Sequence, residues 1–306
     1  MAVHSLRHYA LNVPDLDEGM KFYTEFGLQA RKTNGQIYLR CKGRETDQVI
    51  LCQGPGKSLN HVAFGADADE IDAIRQRLAG SQGSLAEAPE GFSTEGLWLR
   101  DPCNALLHVQ AYVKETPLPA EPIFDINSPG HLPRQDKRAM LPRKDCPPIR
   151  PRRLGHVLLF TPDVLQRRQF FADVLGFRIS DYSEDILAFM HLPGGSEHHV
   201  IAFAKSEKAG FHHGSFQVGS PDEVGQGGDY MEENGYGKGW GFGRHTVGSN
   251  FFWYVRDPWN SYAEYYSDID YIADSDQWEV ANYSPKDGFY NWGPPPPDDF
   301  VKNYEE

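Results

Sequence analysis

The sequence predicts an α+β protein made of two related modules. Short segments of alternating apolar and polar residues, which are typical of strands, dominate the chain. At two places a Pro-Asp pair is followed by apolar residues at helical spacing, which indicates the start of a helix. The second half of the chain repeats the order of motifs found in the first half. With 306 residues, the chain is long enough for two domains of about 150 residues each.

The repeat consists of three motifs in the same order. The first is a strand that runs into Pro-Asp, the second is a strand that carries a histidine, and the third is an Arg-Asp-Pro turn. Seven residues after the aspartate of that turn stands His108 in the first half and Glu264 in the second. Three ordered matches at similar spacing predict homologous modules at residues 1–115 and 153–272. The corresponding residues are His8 and His156, His61 and His213, and His108 and Glu264.

Each module opens with a short alternating strand, at residues 8–13 and 155–161. The Pro-Asp pair then starts a helix, and Gly176 fits the end of that helix in the second module. Strands dominate the rest of the second module, with one further helix expected around residues 222–234. The predicted strands lie at residues 186–191, 200–204, 214–218, 250–256 and 262–266.

Two segments lie outside the modules. Residues 116–152 contain nine prolines, so we expect an extended connector there rather than a third core. Residues 273–306 form a tail that is rich in aromatic residues and proline. Because so many large aromatic side chains are costly to expose, the tail is expected to pack on the second module.

Composition excludes several classes of protein. The net charge of −13 argues against nucleic acid or an anionic membrane as a partner, since both need a basic surface. The chain has no run of about 18 apolar residues that could span a membrane. Its first residues enter a strand pattern without the apolar region of a signal peptide, and its four scattered cysteines form no disulfide or C-x-x-C pattern. We therefore expect a cytoplasmic protein.

Three residues at equivalent strand positions of the second module are candidates for a metal site: His156, His213 and Glu264. Each lies in an apolar stretch, where an unpaired carboxylate is costly and neutral imidazoles supply no positive charge. A divalent cation supplies that charge. Two histidines and one carboxylate leave other coordination positions open, which suits non-haem Fe(II) enzymes that activate oxygen. The alternative is that the three residues serve structure on separate strands.

Six motifs of the second module form a distinctive set: Gly155-His156, His212-His213-Gly-Ser-Phe, Gly243-Arg-His245, Trp253-Tyr254, Asp257-Pro258 and Glu264. In these motifs the chain resembles the type I extradiol ring-cleavage dioxygenases of the vicinal oxygen chelate superfamily. The resemblance covers nearly the whole chain and implies two modules of paired βαβββ units, with the C-terminal module catalytic. The run of residues 239–271 is most similar to the 2,4,5-trihydroxytoluene oxygenase branch.

The resemblance implies a role for each candidate residue. His156, His213 and Glu264 would bind Fe(II), although Mn(II) accepts the same ligands. The substrates would be O2 and a catechol or trihydroxybenzene, and the enzyme would be a homo-oligomer. His245 would hydrogen-bond a substrate oxygen, and Tyr254 would donate to the deprotonated hydroxyl.

The resemblance also implies an acid–base histidine near the oxygen, for which His198 and His199 are the candidates. They are expected on one strand, where adjacent side chains face opposite sides. Anchoring the strand on Ala202-Phe203 selects His199, whereas counting back from His213 selects His198. We predict His199, because loop length varies more readily than strand register.

The first module carries histidines at all three equivalent positions. His8, His61 and His108 could bind zinc or another metal. The resemblance instead implies a metal-free module that packs against the second. Five aromatic residues are candidates for the walls of a pocket for a flat ring: Trp240, Phe242, Phe252, Trp253 and Trp259.

Two other functions compete with ring cleavage. One is another metalloenzyme of the superfamily, such as a glyoxalase-like isomerase or an epimerase, whose ligands generally come from paired modules. The other is a non-enzymatic binding protein for aromatic molecules, which would not need Glu264, His245 and Tyr254. Three ligands in one module with a proton-transfer histidine nearby favour the dioxygenase.

Overall fold

Two β-sheets, one from each half of the chain, form the frame of the molecule. The computed structural model describes residues 3–114, 122–237 and 239–305. The elements of the first half are β1 (Ser5–Val13), α1 (Leu16–Glu25), β2 (Gln29–Thr33), β3 (Gln36–Arg40), β4 (Val49–Gln53), β5 (Ser58–Ala66), α2 (Ala68–Ala79), β6 (Ser84–Leu85), β7 (Leu97–Arg100) and β8 (Leu106–Ala111).

The second half repeats this order and adds short strands. Its helices are α3 (Val164–Leu175) and α4 (Pro221–Glu233). Its strands are β9 (Arg153–Thr161), β10 (Arg178–Ser183), β11 (Leu187–His191), β12 (Ser196–Glu197), β13 (Ile201–Lys205), β14 (Gly210–Gln217), β15 (Trp240–Arg244), β16 (Phe251–Arg256), β17 (Tyr262–Ser267), β18 (Tyr271–Ile272) and β19 (Ala281–Asn282).

The two sheets share one topology. The strand order is β2-β3-β4-β1-β5-β8-β7-β6 in the first and β15-β16-β17-β14-β9-β13-β11-β10-β19 in the second. In each sheet the opening strand pairs antiparallel with the strand that starts the second unit, and each of these two pairs parallel with the last strand of its own unit. Each half is therefore two βαβββ units side by side, which confirms the predicted fold class.

The Pro-Asp pairs start helices as predicted. The Asp15 carboxylate accepts hydrogen bonds from the first backbone N–H groups of α1, and Asp163 does the same for α3. Gly176 ends α3 with a φ of 80°, a left-handed conformation that glycine adopts at little cost.

The sequence pattern does not predict β10 and β15. Strand β15 lies at the end of a glycine-rich stretch, which is typical of a loop, and it holds its conformation through pairing with β16. His198 and His199 were expected on a strand, but they lie just before β13, which begins at Ile201. The described part of the connector, residues 122–152, contains one short 3-10 helix, Arg143–Asp145, and no named strand.

The two halves share one hydrophobic core. The ring of Phe26 stacks on Tyr265 at 3.9 Å between centroids, and Arg167 forms a buried ion pair with Asp101 at 2.7 Å. The tail packs on the second sheet, where β19 pairs with β10 and Phe300 contacts Tyr254. Within the described residues, no helix is long and apolar enough to cross a membrane.

Candidate metal centre and its cavity

His156, His213 and Glu264 converge on one face of the second sheet. They lie on β9, β14 and β17, which are neighbours in the order β17-β14-β9. Ser215 of β14 pairs with both His156 and Glu264, and His213 lies two residues before it. Residues opposite each other across strands, and residues two apart along one strand, point to the same face. The sheet register therefore brings the three side chains together.

The geometry of these side chains fits a divalent cation. His156 Nε2 and His213 Nε2 lie 3.3 and 3.5 Å from Glu264 Oε2. All three residues are buried, yet Glu264 Oε2 and His213 Nε2 have no hydrogen-bond partner. Because an unpartnered buried carboxylate oxygen is costly, these atoms call for a positive charge between them. Among the described residues, this is the one group of histidine, cysteine or acidic side chains close enough to hold a metal ion.

Two hydrogen bonds, from His213 to His212 and from His212 to Phe300, determine which nitrogen of His213 faces this centre. His213 Nδ1 lies 2.6 Å from His212 Nδ1, and His212 Nε2 lies 2.8 Å from the carbonyl oxygen of Phe300. A carbonyl oxygen only accepts, so His212 carries its proton on Nε2. Burial lowers the pKa of His212 to about 4, so the ring is neutral and its Nδ1 accepts from His213. His213 Nε2 is left as a lone pair that faces Glu264.

A cavity of about 500 Å³ is lined by His156 and His213, whose Nε2 atoms lie next to Glu264. Its lining is mainly apolar. Its polar members are the histidines, Asn250 and Tyr254, and also Tyr182, Ser183, Lys205, Tyr283 and Ser284. The Asn250 amide donates to Glu264 Oε1 at 3.3 Å and so holds the carboxylate. The apolar walls include Leu158, Leu187, Phe189, Val247, Phe289 and Phe300.

The predicted catalytic residues His199, His245 and Tyr254 all line this cavity. The ring of His199 lies 4.1 Å from that of His156, and His245 Nε2 lies 4.0 Å from Glu264 Oε1. The structure thus brings all six predicted site residues together. The alternative candidate, His198, does not line the cavity; its Nε2 points to Asp181 Oδ2 at 2.8 Å.

His245 and Tyr254 form a hydrogen-bonded pair. His245 Nδ1 lies 2.8 Å from the carbonyl oxygen of Phe289, so it carries the proton, and the free Nε2 accepts from the Tyr254 hydroxyl at 2.9 Å. Burial lowers the pKa of His245. Burial and the neighbouring Glu264 raise the pKa of Tyr254 well above its ordinary value, so the phenol keeps its proton at neutral pH.

The aromatic wall was assigned to the wrong residues. None of the five candidates lines the cavity; its aromatic lining includes Phe189 of β11 and residues of the tail such as Phe289 and Phe300. Phe242 stacks on Phe251, and Trp253 lies over Gly228 of α4. Trp240 and Phe252 pack behind Tyr254, and the ring of Trp259 lies against Gly19 of the first half.

Sequence reasoning also missed several supporting residues. Asn250 stood at the start of a predicted strand without a role, and the carbonyl groups of Phe289 and Phe300 have no sequence signal at all. The adjacency of His212 and His213 was a usable signal for an outer hydrogen bond.

In the first half, the equivalent histidines bond to protein atoms. His8 Nε2 lies 2.9 Å from His61 Nε2, and His108 Nε2 donates to the carbonyl oxygen of Glu95 at 2.8 Å. His61 Nδ1 bonds to the side-chain oxygen of Asn60.

Comparison with known proteins agrees with this architecture. The chain matches the family described as the glyoxalase/bleomycin resistance protein/dioxygenase superfamily over residues 5–109 and 153–265, one segment in each predicted module. Metapyrocatechase 2 of Cupriavidus necator is 40% identical over 309 residues, which cover 99% of this chain and 93% of that protein. Metapyrocatechase of Geobacillus stearothermophilus is 25% identical over 93% of this chain and 87% of its own.

Solved structures share the fold. Homoprotocatechuate 2,3-dioxygenase from Brevibacterium fuscum, in complex with 3,4-dihydroxyphenylacetate, superimposes with a TM-score of 0.77 at 23% identity, covering 99% of this chain and 92% of that one. The Mn(II)-bound glyoxalase from Novosphingobium aromaticivorans does so with a TM-score of 0.73 at 24% identity, covering 96% and 93%. The chain therefore belongs to the glyoxalase/bleomycin resistance protein/dioxygenase superfamily, in its extradiol dioxygenase branch.

Proposed function

We infer that the protein is a metal-dependent extradiol dioxygenase that cleaves the ring of a catechol or trihydroxybenzene with O2. The observation that carries this function is the set of His156, His213 and Glu264, with buried unpartnered atoms, at an apolar cavity that also receives three proton-handling side chains. The 40% identity to metapyrocatechase 2 over nearly the whole chain supports the same activity.

His156, His213 and Glu264 would hold the metal. When bound, a divalent metal with this ligand set supplies a Lewis-acid centre with open positions for a diol and O2. We propose Fe(II) as the native ion. Mn(II) is the alternative, because a relative that is 24% identical is named as a manganese-dependent 2,3-dihydroxybiphenyl 1,2-dioxygenase of Geobacillus genomosp. 3.

Three residues would handle protons around the substrate. His199 would accept a proton from a ring hydroxyl and later return it, which is the role of a general acid–base. Tyr254 keeps its proton and would donate a hydrogen bond to the deprotonated oxygen. His245, whose Nδ1–H is held by the Phe289 carbonyl, presents Nε2 as an acceptor for a neighbouring hydroxyl.

The apolar walls would orient the ring and exclude bulk water. Phe189, Phe289 and Phe300 offer flat contact surfaces, while His199, His245 and Tyr254 line the same cavity. Excluding water strengthens the hydrogen bonds to the substrate and protects a reactive ring from side reactions. The cytoplasmic location and the homo-oligomeric state predicted from the sequence remain part of this proposal.

The test is anaerobic reconstitution with Fe(II), and in parallel with Mn(II), followed by exposure to air with a panel of catechols and trihydroxybenzenes. We expect oxygen uptake matched one-to-one by a ring-fission product with visible absorbance. The preferred ion is the one that gives the higher kcat at full occupancy. No uptake with any of these diols, although metal analysis shows a loaded protein, contradicts the assignment.

A further inference from the structure

His199, His198 and Asp181 form a buried row of hydrogen-bonded side chains that leads away from the cavity. His199 Nδ1 is 3.0 Å from His198 Nδ1, and His198 Nε2 is 2.8 Å from Asp181 Oδ2. The other Asp181 oxygen accepts the backbone N–H of Ala281 in the tail at 2.7 Å. His198 is fully buried and Asp181 nearly so.

The backbone of His198 is fixed on both sides. Its N–H donates to the carbonyl oxygen of Asp270 at 2.7 Å, and its carbonyl accepts the Ser180 hydroxyl. The row is therefore held by the sheet at Ser180 and Asp181 and by the segment that follows β17. Its members have little freedom to change partners.

The chemistry of these partners determines where the protons sit. The Asp181 carboxylate only accepts, so His198 carries a proton on Nε2. With Nε2 as the protonated nitrogen of its ring, His198 presents a lone pair at Nδ1, so the proton between the two rings belongs to His199 Nδ1. His199 Nε2 is left as an acceptor on a ring that lines the cavity.

We propose that Asp181 and His198 are positioning residues that set the tautomer of His199 and so keep its Nε2 free to accept a substrate proton. The proposal rests on the proposed function and adds two residues to it. As His199 accepts a proton from a ring hydroxyl, positive charge develops on the histidine pair. The Asp181 carboxylate stabilises that charge, as a buried carboxylate does behind a general-base histidine.

The other adjacent pair, His212 and His213, shows why the carboxylate matters. The two pairs share an Nδ1–Nδ1 contact, but the row behind His213 ends at the neutral carbonyl of Phe300. A metal ligand has to remain neutral and needs only its tautomer fixed. An acid–base residue has to carry charge transiently, and only the row behind His199 ends in a group that stabilises it.

The decisive variant is Asp181→Asn. The asparagine oxygen can still accept from Ala281, and its NH2 group then donates to His198 Nε2. This reverses the row, so that His198 donates from Nδ1 and His199 is left with a proton on Nε2. We expect kcat to fall roughly 10- to 100-fold, with the KM for catechol within about threefold of wild type and the metal content unchanged.

A direct readout does not depend on turnover. Nitrogen-15 NMR of the protein labelled at histidine and loaded with diamagnetic Zn(II) reports which ring nitrogen is protonated. We expect a protonated Nδ1 on His199 in the wild type and a protonated Nε2 in Asp181→Asn. If the protein proves not to cleave any ring, the proposed function fails, while this spectrum still tests the row.

A second variant and a control complete the test. His198→Gln replaces a ring of fixed tautomer with an amide that can turn either its oxygen or its NH2 group toward His199 Nδ1. A similar loss of kcat and a mixture of His199 tautomers are therefore expected. The control is His108→Gln, a buried histidine of the first half whose Nε2 bonds the Glu95 carbonyl; its kcat should stay within about twofold. Wild-type kcat in folded, metal-loaded Asp181→Asn or His198→Gln overturns the proposal, as does a wild-type His199 protonated on Nε2.

Discussion

The two halves of the molecule place three titratable side chains at equivalent points of equivalent sheets, with opposite outcomes. In the first half, His8 bonds to His61, and His108 bonds to a backbone carbonyl while stacking on Trp98 at 3.9 Å. In the second half, Glu264 Oε2 and His213 Nε2 are buried without hydrogen-bond partners. Equivalent positions of the two sheets thus hold one cluster whose side chains have hydrogen-bond partners and one cluster in which buried atoms have none.

The difference traces to one exchange, His108 for Glu264. A neutral imidazole has both a donor and an acceptor, so histidines can satisfy one another. Burial lowers the pKa of His8 to about 3 and that of His61 well below its ordinary value, so both stay neutral. A carboxylate only accepts, and it leaves neighbouring lone pairs available to a cation. The hydrogen-bond partner of the second histidine also differs. His61 Nδ1 bonds to Asn60, whereas His213 Nδ1 bonds to His212.

The largest effect is expected from making the second half like the first. Glu264→His removes the negative charge and leaves three imidazoles at the site, as in the first half. We expect bound metal to fall below about a tenth of wild type and turnover to become undetectable. Metal analysis after gel filtration measures this. His108→Gln is the matched control in the first half, and wild-type metal content in Glu264→His would show that the exchange is not decisive.

A smaller but still large loss of kcat should distinguish the acid–base residue from the metal ligands. His199→Ala is expected to keep its metal and lose about 10²- to 10³-fold in kcat, because it removes a general acid–base and no ligand. His213→Ala should instead lose the metal. Steady-state kinetics with metal analysis on both variants makes the distinction. Full activity in His199→Ala would exclude it as the acid–base residue.

The outer hydrogen bond of the second half should tune metal affinity. His212→Phe keeps an aromatic ring between Phe160, Tyr262 and Phe300 but removes the acceptor for His213 Nδ1. Losing such a partner typically costs 10- to 100-fold in affinity, so a shift of about that size is expected in competition with a chelator. An unchanged affinity would mean that the tautomer of His213 is fixed by the metal alone.

The smallest effect is expected on the pH dependence of stability, through the histidine cluster of the first half. Because the pKa of His8 is lowered to about 3 in the folded protein, the unfolded chain takes up a proton below pH 6.5 that the folded chain refuses. The stability is therefore fully present above pH 6.5 and falls as the pH drops toward 3, by up to about 1.4 kcal/mol per pH unit for one such group.

Replacing His8 should flatten this dependence. Urea unfolding of the metal-free protein at pH 7 and pH 5 is expected to show a smaller loss for His8→Gln than for wild type. The exposed His131 provides the control, since His131→Gln should leave the slope unchanged. Equal slopes in all three proteins would contradict a neutral buried His8.

Sequence reasoning recovered the features that repeat. The order of motifs predicted two homologous modules, and the repeat placed His156, His213 and Glu264 at equivalent strand positions of the second module. Sequence reasoning failed at β15, because pairing with β16 stabilises that strand and no residue pattern marks it. It also failed where a segment distant in sequence supplies the contact. The cavity walls from the tail and the carbonyls behind His212 and His245 depend on the path of residues 273–305, which no periodicity encodes.

That tail has a consequence for the order of events during synthesis. The carbonyls of Phe289 and Phe300 fix the nitrogens of His245 and His212, and Glu305 bonds Lys57, Leu59 and Phe211, so it joins the two halves. The ribosome adds this tail after strands β1 to β17. Those strands can pair while the tail is still being made, but the candidate metal centre acquires its outer hydrogen bonds only after residues 289 to 305 have been added, which delays competence for metal until then.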